Sequence, residues 1–276
     1  MTVTESLTSL QNPRVKHIVR LRNRRQRDDF RQTVVEGERE VARALAGGVV
    51  PLQAFVCPTY AHLDAPWYAQ LLALAQERRT QLFDVSPAVY DKMVYRSGSG
   101  GVLLLIPYLA RTLDDLGLGE CPLLVVIDGV EKPGNLGAIL RTADAAGISG
   151  LLLTGSDAQG TDLHNPNTIR ASLGAVFSVP VVSTRRQEAL EWLREHDITT
   201  VATSPDAIKP YTAVPYDRPL AVVMGSEAVG LDETWLEAVN EQVRIPMAGV
   251  VDSLNLSVST AVLLYEIRRQ RELKGC

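Results

Sequence analysis

The first stretch with a chemically suggestive pattern runs from Gly129 to Arg141 and reads GVEKPGNLGAILR. It follows the apolar run LLVVID, places Asn135 near a helix N-cap, and puts Arg141 about two turns into that helix. The stretch comes close to a Walker A loop, but Gly134 and Asn135 stand where GK[ST] is required, and no GxGxxG follows a strand. An NTPase site is therefore disfavoured. The pattern leaves either a functional asparagine and arginine or an ordinary cap with a surface arginine.

The second stretch, Val222–Leu231, reads VVMGSEAVGL and ends an apolar strand in Gly225. It places Glu227 in a turn that Gly230 closes. Glycine permits the backbone to approach a ligand closely. The pattern is consistent with a ligand-binding loop and equally with a plain connection between a strand and a helix.

The third stretch, Ile245–Ile267, changes from strand to glycine-containing loop to helix within a few residues. Ser253 or Asn255 supplies a natural helix N-cap. In the helix that follows, the apolar positions 258, 261, 262 and 265 share one face, while 256, 263 and 267 fall elsewhere. The helix is therefore expected to be covered on more than one side.

These stretches need a scaffold that brings strand ends together. Continuous apolar runs such as LLVVID and LAVVMG are typical of a parallel sheet covered on both faces. We predict strands at residues 33–36, 52–57, 81–85, 102–106, 123–128, 150–154, 177–180, 199–203, 220–224 and 243–245, and helices at 12–31, 37–46, 67–78, 87–93, 135–146, 168–173, 187–196 and from 255 onward. The alternation predicts a small α/β layered domain at 1–107, a linker at 108–120, and a parallel-sheet α/β domain at 121–276.

The bulk composition agrees with two domains, because 276 residues with 46% hydrophobic content can form two cores. Three widely spaced cysteines without a CxxC pair argue against a disulfide framework or a cysteine-based zinc site. The four histidines lack metal-ligand spacing, so no metal is expected and His164 is expected to be structural. The N-terminus has no signal-peptide pattern and no apolar run approaches about 18 residues, which predicts a cytoplasmic protein without a membrane span.

Charge is distributed unevenly between the two halves of the chain. Residues 1–107 carry 14 Lys+Arg against 10 Asp+Glu, a net charge of +4, whereas the remainder carries 14 against 22, a net charge of −8. A basic half beside an acidic half suggests that the first half meets a polyanion.

The basic residues of the first half concentrate between Asn12 and Arg31, where only Asp28 and Asp29 oppose them. This segment is predicted to form one helix with an anchored side and a basic side, suited to phosphate contact, although a solvated surface helix is the alternative. The residues predicted to bind RNA phosphates are Arg14, Lys16, Arg20, Arg22, Arg24, Arg25 and Arg27. Arginine favours phosphate geometry, which supports the first interpretation.

Together the three stretches resemble the sequence motifs of the SPOUT superfamily, and more narrowly of the SpoU (TrmH) family of RNA 2'-O-ribose methyltransferases. The matching segments are 135–143 (NLGAILRTA), 224–231 (MGSEAVGL), and 245–249 (IPMAG) with 253–259 (SLNLSVS). The first half resembles the ribosomal-protein-like RNA-binding domain of that family through 12–16 (NPRVK) and 35–38 (VEGE). The chain departs from the family pattern in two places. Glu131 and Lys132 interrupt the acidic-residue-then-proline lead-in before Asn135, and Ala228 stands where glycine is frequent.

The resemblance implies a fold, a cofactor and an assembly. The family binds S-adenosylmethionine in a deep trefoil knot formed by the C-terminal part of the chain, and it works as a homodimer. Carried over by position, the residues expected to bind the cofactor are Thr203, Met224, Gly225, Ile245, Met247, Leu254 and Asn255.

The resemblance also implies catalytic roles. Arg141 matches the arginine considered catalytic in the family. Because a guanidinium stays protonated in proteins, we interpret Arg141 as a clamp on the adjacent phosphate that stabilises the developing alkoxide. Asn135 and Glu227 are expected to orient Arg141 and the substrate, and Ser253 and Asn255 are expected to bond near the target ribose.

The expected function is S-adenosylmethionine-dependent 2'-O-ribose methylation of a structured RNA. The ribosomal-protein-like first domain favours 23S ribosomal RNA as the substrate, and tRNA is the nearest alternative. A catalytically silent RNA-binding or assembly factor is an alternative of a different class. The intact trio of Asn135, Arg141 and Glu227 argues against that alternative.

Overall fold

The computed structural model describes residues 5–96, 98–130, 132–155, 162–227 and 229–274. The chain forms two compact units, of which the first is Met1–Leu109 with Leu163–Ser178 and the second is Ala110–Asp162 with Val179–Cys276. The sequence places a similar boundary near residue 107 but assigns Leu163–Ser178 to the second domain. The contacts of the structure place this segment in the first unit.

The described residues form twelve strands, ten α-helices and three short 3-10 helices. The strands are β1 (Glu5–Leu7), β2 (Gln32–Glu36), β3 (Gln53–Val56), β4 (Gln81–Val85), β5 (Val102–Pro107), β6 (Leu123–Asp128), β7 (Gly150–Thr154), β8 (Val181–Ser183), β9 (Thr199–Thr203), β10 (Lys209–Pro210), β11 (Leu220–Met224) and β12 (Glu241–Arg244). The α-helices are α1 (Pro13–Arg20), α2 (Arg24–Phe30), α3 (Glu38–Ala46), α4 (Pro66–Gln76), α5 (Pro87–Met93), α6 (Pro133–Ala146), α7 (Pro166–Ala171), α8 (Arg186–Glu195), α9 (Glu233–Ala238) and α10 (Leu256–Lys274).

Most predicted elements coincide with observed ones to within a few residues. The strand predicted at 177–180 is wrong, because Ala175–Phe177 forms a 3-10 helix and β8 begins at Val181. The sequence pattern does not predict β1, β10 and α9, which span only three, two and six residues. Elements this short carry too few residues for a periodic pattern.

The first unit is built on a five-stranded mixed sheet with the order β1-β4-β3-β5-β2. Strands β2 and β3 pair antiparallel with β5, whereas β1 and β3 pair parallel with β4. The first five residues of β5, VLLLI, are buried. A continuous apolar run in this strand is therefore explained by cover on both of its faces.

The basic segment forms two short helices rather than the single helix predicted for residues 12–31. Asn12 caps α1, because its side-chain oxygen accepts a hydrogen bond from the Arg14 backbone N–H at 2.9 Å. The helix ends at Arg20 and a turn leads to α2, which buries Arg27. The segment does not continue as one helix, because the chain turns around Asn23 and buries Leu21 before it and Arg27 after it.

Leu163–Ser178 is attached to the first unit by polar contacts to residues far away in sequence. Arg170 on α7 donates to the buried carboxylate of Glu36 at 2.7 Å. Arg43 on α3 donates to the carbonyl of Leu173, also at 2.7 Å. The segment thereby completes the cover over β2 and α3 within this unit.

The second unit contains a seven-stranded sheet in which all pairings are parallel, with the order β10-β12-β9-β11-β6-β7-β8. Strands β6, β7 and β11 are buried along their whole length. The predicted parallel α/β sheet is therefore confirmed. Strand order runs from β6 through β7 to β8 in one direction and continues through β11 and β9 in the other, so a crevice is expected at the carboxyl ends of β6 and β11.

Helix α10 packs against α6 and β11. Asn255 caps it, because its side-chain oxygen accepts from the backbone N–H of Ser257 at 3.0 Å. The face that the helix buries contains Leu256, Leu263 and Ile267, whereas Val258 and Tyr265 of the predicted apolar stripe are exposed. The sequence predicts cover on more than one side of this helix, whereas the single chain leaves the side of Val258 and Tyr265 exposed to solvent.

Within the described ranges, no helix is long and apolar enough to cross a membrane. Over these same residues, no group of three or more His, Cys, Asp or Glu side chains is arranged to hold a metal ion. Cys57 is a buried free thiol.

Candidate active site

A cavity of about 680 Å³ opens in the second unit where β9, β11 and β12 end. Its walls come from the residues that follow these three strands and from the loop that precedes α10. The lining includes every residue predicted to bind the cofactor, namely Thr203, Met224, Gly225, Ile245, Met247, Leu254 and Asn255. Residues that lie up to 52 positions apart in sequence are thus brought to one site.

The loop after β11 is closed into a tight turn. The backbones of Ser226 and Gly230 exchange two hydrogen bonds of 3.1 and 3.0 Å. A Cβ on Gly225 would lie under 3.0 Å from backbone atoms of Gly230 and Leu231. Gly230 itself has a φ of +71°, a conformation that glycine adopts without strain. Both glycines are therefore required by this turn, which holds Glu227 at its tip.

Glu227 is the centre of a polar cluster on the rim of the cavity. Its carboxylate accepts hydrogen bonds from Lys132 Nζ at 2.5 Å, from Asn255 Nδ2 at 2.8 Å, and from Asn135 Nδ2. Asn255 Nδ2 also lies 3.2 Å from Asn135 Oδ1. The structure therefore brings together Asn135, Glu227 and Asn255, one residue from each of the three stretches.

The charge of Glu227 is fixed by its donors. The Lys132 ammonium, followed by the amide of Asn135, holds the pKa of the Glu227 carboxyl below its ordinary value. Glu227 is therefore ionised at neutral pH and acts as a hydrogen-bond acceptor. The sequence analysis did not assign Lys132 to the site, although its position directly before Pro133 as a departure from the family pattern was a usable signal.

Asn255 combines a structural and a site contact in one side chain. Its oxygen caps α10 through Ser257, while its amide nitrogen donates to Glu227. Ser253 also lines the cavity, and its hydroxyl donates to Asp252 at 3.2 Å. Both residues predicted to lie near the target ribose therefore border the cavity.

Arg141 is placed differently from the other predicted catalytic residues. It lies on α6, six residues after Asn135, and its side chain is exposed. Six helical residues correspond to about 9 Å along the axis and about 120° around it. Arg141 is therefore not among the residues that line the cavity, and within one chain it lies apart from the polar cluster.

The basic residues of the first unit differ in how far their side chains are exposed. Lys16, Arg20, Arg24 and Arg25 are exposed on α1 and α2. Arg14 is partly buried, with its guanidinium 4.7 Å from the centre of the Phe83 ring. The four exposed side chains form the accessible basic surface of these helices.

Two of the predicted phosphate ligands have backbone partners instead. Arg22 donates to the carbonyls of Lys92 and Val94 at 3.0 and 2.7 Å. Arg27 is only 2% exposed and donates to the carbonyls of Leu21 and Arg22 at 2.8 and 3.0 Å. The buried guanidinium of Arg27 holds the turn between α1 and α2, so Arg27 is not part of the exposed basic surface.

Two family models match this chain. Residues 122–265 match the SpoU rRNA Methylase family, and residues 12–104 match the MRM3-like substrate binding domain. The two matches cover the second and the first halves of the chain, in that order.

Curated relatives and solved structures give the same result. An uncharacterized tRNA/rRNA methyltransferase of Synechocystis is 33% identical over 96% of this chain and 94% of its own length. The 23S rRNA (guanosine-2'-O-)-methyltransferase RlmB of Nitrosomonas europaea is 37% identical over 72% of this chain and 78% of its own length. The crystal structure of an AdoMet-bound rRNA methyltransferase from Sinorhizobium meliloti superposes with a TM-score of 0.87 at 32% identity, covering 96% of this chain and 98% of that one.

Proposed function

Because this chain belongs to the SpoU rRNA methylase family, we propose that it transfers the methyl group of S-adenosylmethionine to a ribose 2'-hydroxyl of 23S ribosomal RNA. The observation that carries the proposal is the cavity of the second unit with the cluster of Asn135, Glu227 and Asn255 on its rim. A pocket and a set of polar groups beside it are what a transfer between a bound cofactor and an RNA requires.

The cavity fits S-adenosylmethionine in size and in chemistry. Its volume of about 680 Å³ lies in the range of small-molecule sites. Met224, Ile245 and Leu254 supply apolar surface for an adenine ring, and the carboxylates of Asp206 and Asp252 suit a cationic ligand. Bound there, the cofactor supplies a methyl group on a positively charged sulfur.

The residues around the cavity have separate roles in this proposal. Ser253 and Asn255 orient the target ribose, and Glu227 holds the amides of Asn135 and Asn255 in place. Arg141 lies apart from this cluster within one chain, so we assign its role to a second copy of the chain. There Arg141 clamps the phosphate next to the reacting ribose and stabilises the negative charge that develops on the 2'-oxygen. The hydroxyl proton passes to that phosphate, since a guanidinium stays protonated.

We further propose that the protein acts as a homodimer. Val258 and Tyr265 on α10 are 47% and 55% exposed, and Val250 and Val251 in the preceding loop are also exposed. Apolar side chains of this kind on one helix and its adjacent loop are suited to a second copy of the chain. Sedimentation of the purified protein tests this, and a monomer at micromolar concentration would contradict it.

The first unit is proposed to bind the RNA. Lys16, Arg20, Arg24 and Arg25 offer exposed positive charge for the phosphate backbone. Replacing these four residues by glutamine is expected to weaken RNA binding and to reduce its dependence on salt, without changing cofactor affinity. Ribosomal RNA as the substrate also leads us to propose a cytoplasmic location.

Mapping 2'-O-methylated riboses tests the substrate. A position in 23S ribosomal RNA whose methylation disappears in cells without the protein is the expected result. Loss confined to tRNA would replace ribosomal RNA by the alternative that the Synechocystis relative's name includes. No loss in either RNA, combined with no S-adenosylmethionine binding in calorimetry, would favour a silent RNA-binding factor.

Substitution of Arg141 tests the catalytic role. Arg141→Ala is expected to abolish methylation and to leave cofactor affinity unchanged, because Arg141 does not line the cavity. Arg194→Ala, an exposed arginine on α8, is the matched control and should retain activity. Substantial methylation by Arg141→Ala would remove this residue from the mechanism.

A further inference from the structure

Arg186, the first residue of α8, joins two loops that approach the candidate active site. Its Nη2 donates to Asp128 Oδ2 at 2.8 Å and its Nε to Asp128 Oδ1 at 3.3 Å. Its Nη1 donates to Asp232 Oδ2. All three guanidinium nitrogens are therefore engaged by two carboxylates that lie 104 residues apart in sequence.

Each carboxylate fixes one end of a loop that carries site residues. Asp128 is the last residue of β6 and also accepts from the Thr154 hydroxyl at 2.8 Å, and the loop after it leads to Lys132 and Asn135. Asp232 follows the loop that carries Glu227. Its other oxygen caps α9 by accepting from the Trp235 backbone N–H at 3.2 Å.

The same two segments meet again at the cavity, where the Glu227 carboxylate accepts hydrogen bonds from Lys132 and Asn135. They are thus connected at two levels. At the base, Arg186 and Asp128 are largely buried, with 19% and 8% of their side chains exposed. At the rim, the Lys132–Glu227 pair is open to solvent on the lysine side, with 72% of that side chain exposed.

The base contact is the more buried of the two at Asp128, whereas Asp232 keeps 45% of its side chain exposed. A surface ion pair contributes little, because water screens it and two flexible side chains must be ordered. A buried pair is weak evidence for stability as well, because desolvation offsets the attraction. A guanidinium bound to two carboxylates does fix their directions, because its planar group donates hydrogen bonds only in set directions.

We propose that Arg186 is a positioning residue for methyl transfer, which sets the separation between the start of α6, where Asn135 lies, and the loop of Glu227. This inference rests on the proposed function. Arg186 does not line the cavity, so it acts through Glu227 and Asn135 rather than by touching either substrate.

The chain offers a matched control in the adjacent residue. Arg185 is exposed and its guanidinium bonds to Glu188 on the first turn of the same helix, so it connects no loops. Two test variants keep the experiment independent of any one folding defect. Arg186→Gln removes the bridge, and Asp232→Asn removes one ion pair while retaining a residue type that caps α9 well.

The first measurement is amide hydrogen exchange in the cofactor-free protein. Arg186→Gln and Asp232→Asn are expected to exchange faster than wild type in both 129–135 and 225–231, while Arg185→Gln matches wild type. Thermal unfolding of each variant shows whether the rest of the second unit is intact. Wild-type exchange in both segments for the two test variants overturns the proposal.

The second measurement is the single-turnover methylation rate. We expect Arg186→Gln to lower the rate about tenfold to a hundredfold, the effect of misplacing reacting groups by about 1 Å, with the KM for RNA unchanged. If Arg186 acts through Glu227, the double variant Arg186→Gln/Glu227→Gln loses no more than Glu227→Gln alone. Fully additive losses overturn the positioning role.

Failure of the proposed function remains distinguishable from failure of this inference. If the wild type methylates neither ribosomal RNA nor tRNA, the proposed function fails. Amide exchange in the cofactor-free protein needs no catalytic activity. It therefore still decides whether Arg186 positions the two segments.

Discussion

Replacement of Gly225 by alanine is the sharpest test of the cavity's role. Gly225 directly follows the buried strand β11 and leads into the tight turn that carries Glu227. An added Cβ would lie under 3.0 Å from the backbone of Gly230 and Leu231, so the loop has to move. Backbone atoms cannot rotate away as a flexible side chain does, which requires a shift of about 1 Å in the turn.

The expected consequence is a loss of function larger than the loss of stability. A displacement of about 1 Å in groups that position a reaction costs about a hundredfold in rate. Gly225 also lines the cavity, so S-adenosylmethionine affinity is expected to fall with it. Calorimetry measures the affinity, single-turnover methylation the rate, and urea unfolding the stability.

Gly249→Ala is the matched control for this experiment. Gly249 lies in the loop between β12 and α10, and a Cβ there would meet nothing within 4 Å. The same chemical change should therefore leave affinity and rate close to those of the wild type. If Gly225→Ala binds the cofactor and turns over like Gly249→Ala, the turn does not form part of the cofactor site and the assignment of the cavity is wrong.

Three further predictions concern single residues. Arg271→Met should destabilise the second unit by about 3 kcal/mol or more in urea unfolding, because the buried guanidinium donates to four backbone carbonyls. Arg269→Met is the control and should change urea unfolding little, because Arg269 is exposed and bonds to Glu266 on its own helix. Burial lowers the pKa of His164 from 6.5 to about 4, so the protein should lose roughly 3 kcal/mol of stability as the pH falls between these values. In the same urea assay, His164→Phe should lose less stability over this pH interval. Lys132→Met should raise the pKa of Glu227 toward its ordinary value in an NMR titration, and an unchanged pKa would show that the ion pair does not form in solution.

The sequence predicts the second unit well because its signals are local. Five consecutive apolar residues in a strand such as Leu123–Asp128 indicate a parallel sheet covered on both faces. Residues at the carboxyl ends of parallel strands then lie at one edge of the sheet. This is why residues predicted from three separate stretches, such as Thr203, Gly225 and Ile245, line one cavity in the structure.

The sequence predictions fail where the placement of a residue depends on a partner that no local pattern shows. A charged residue such as Arg27 is expected at the surface. Only the folded turn shows that its guanidinium donates to the backbone carbonyls of Leu21 and Arg22. Arg170 lies 134 residues from Glu36, so no local pattern assigns its helix to the first unit. In the sequence Lys132 stands out only as part of a departure from the family pattern, because its partner Glu227 is 95 residues away.

Helix caps at the end of the parallel sheet are what connect the fold to the site. The first backbone N–H groups of a helix need acceptors, and Asn255 and Asp232 supply them for α10 and α9. Each capping side chain has a second polar atom, which Asn255 directs to Glu227 and Asp232 directs to Arg186. We expect a shift at either helix N-terminus to move the loop that carries Glu227. Changes in α9 or α10 that move these starting points should therefore alter activity even when they lie outside the cavity.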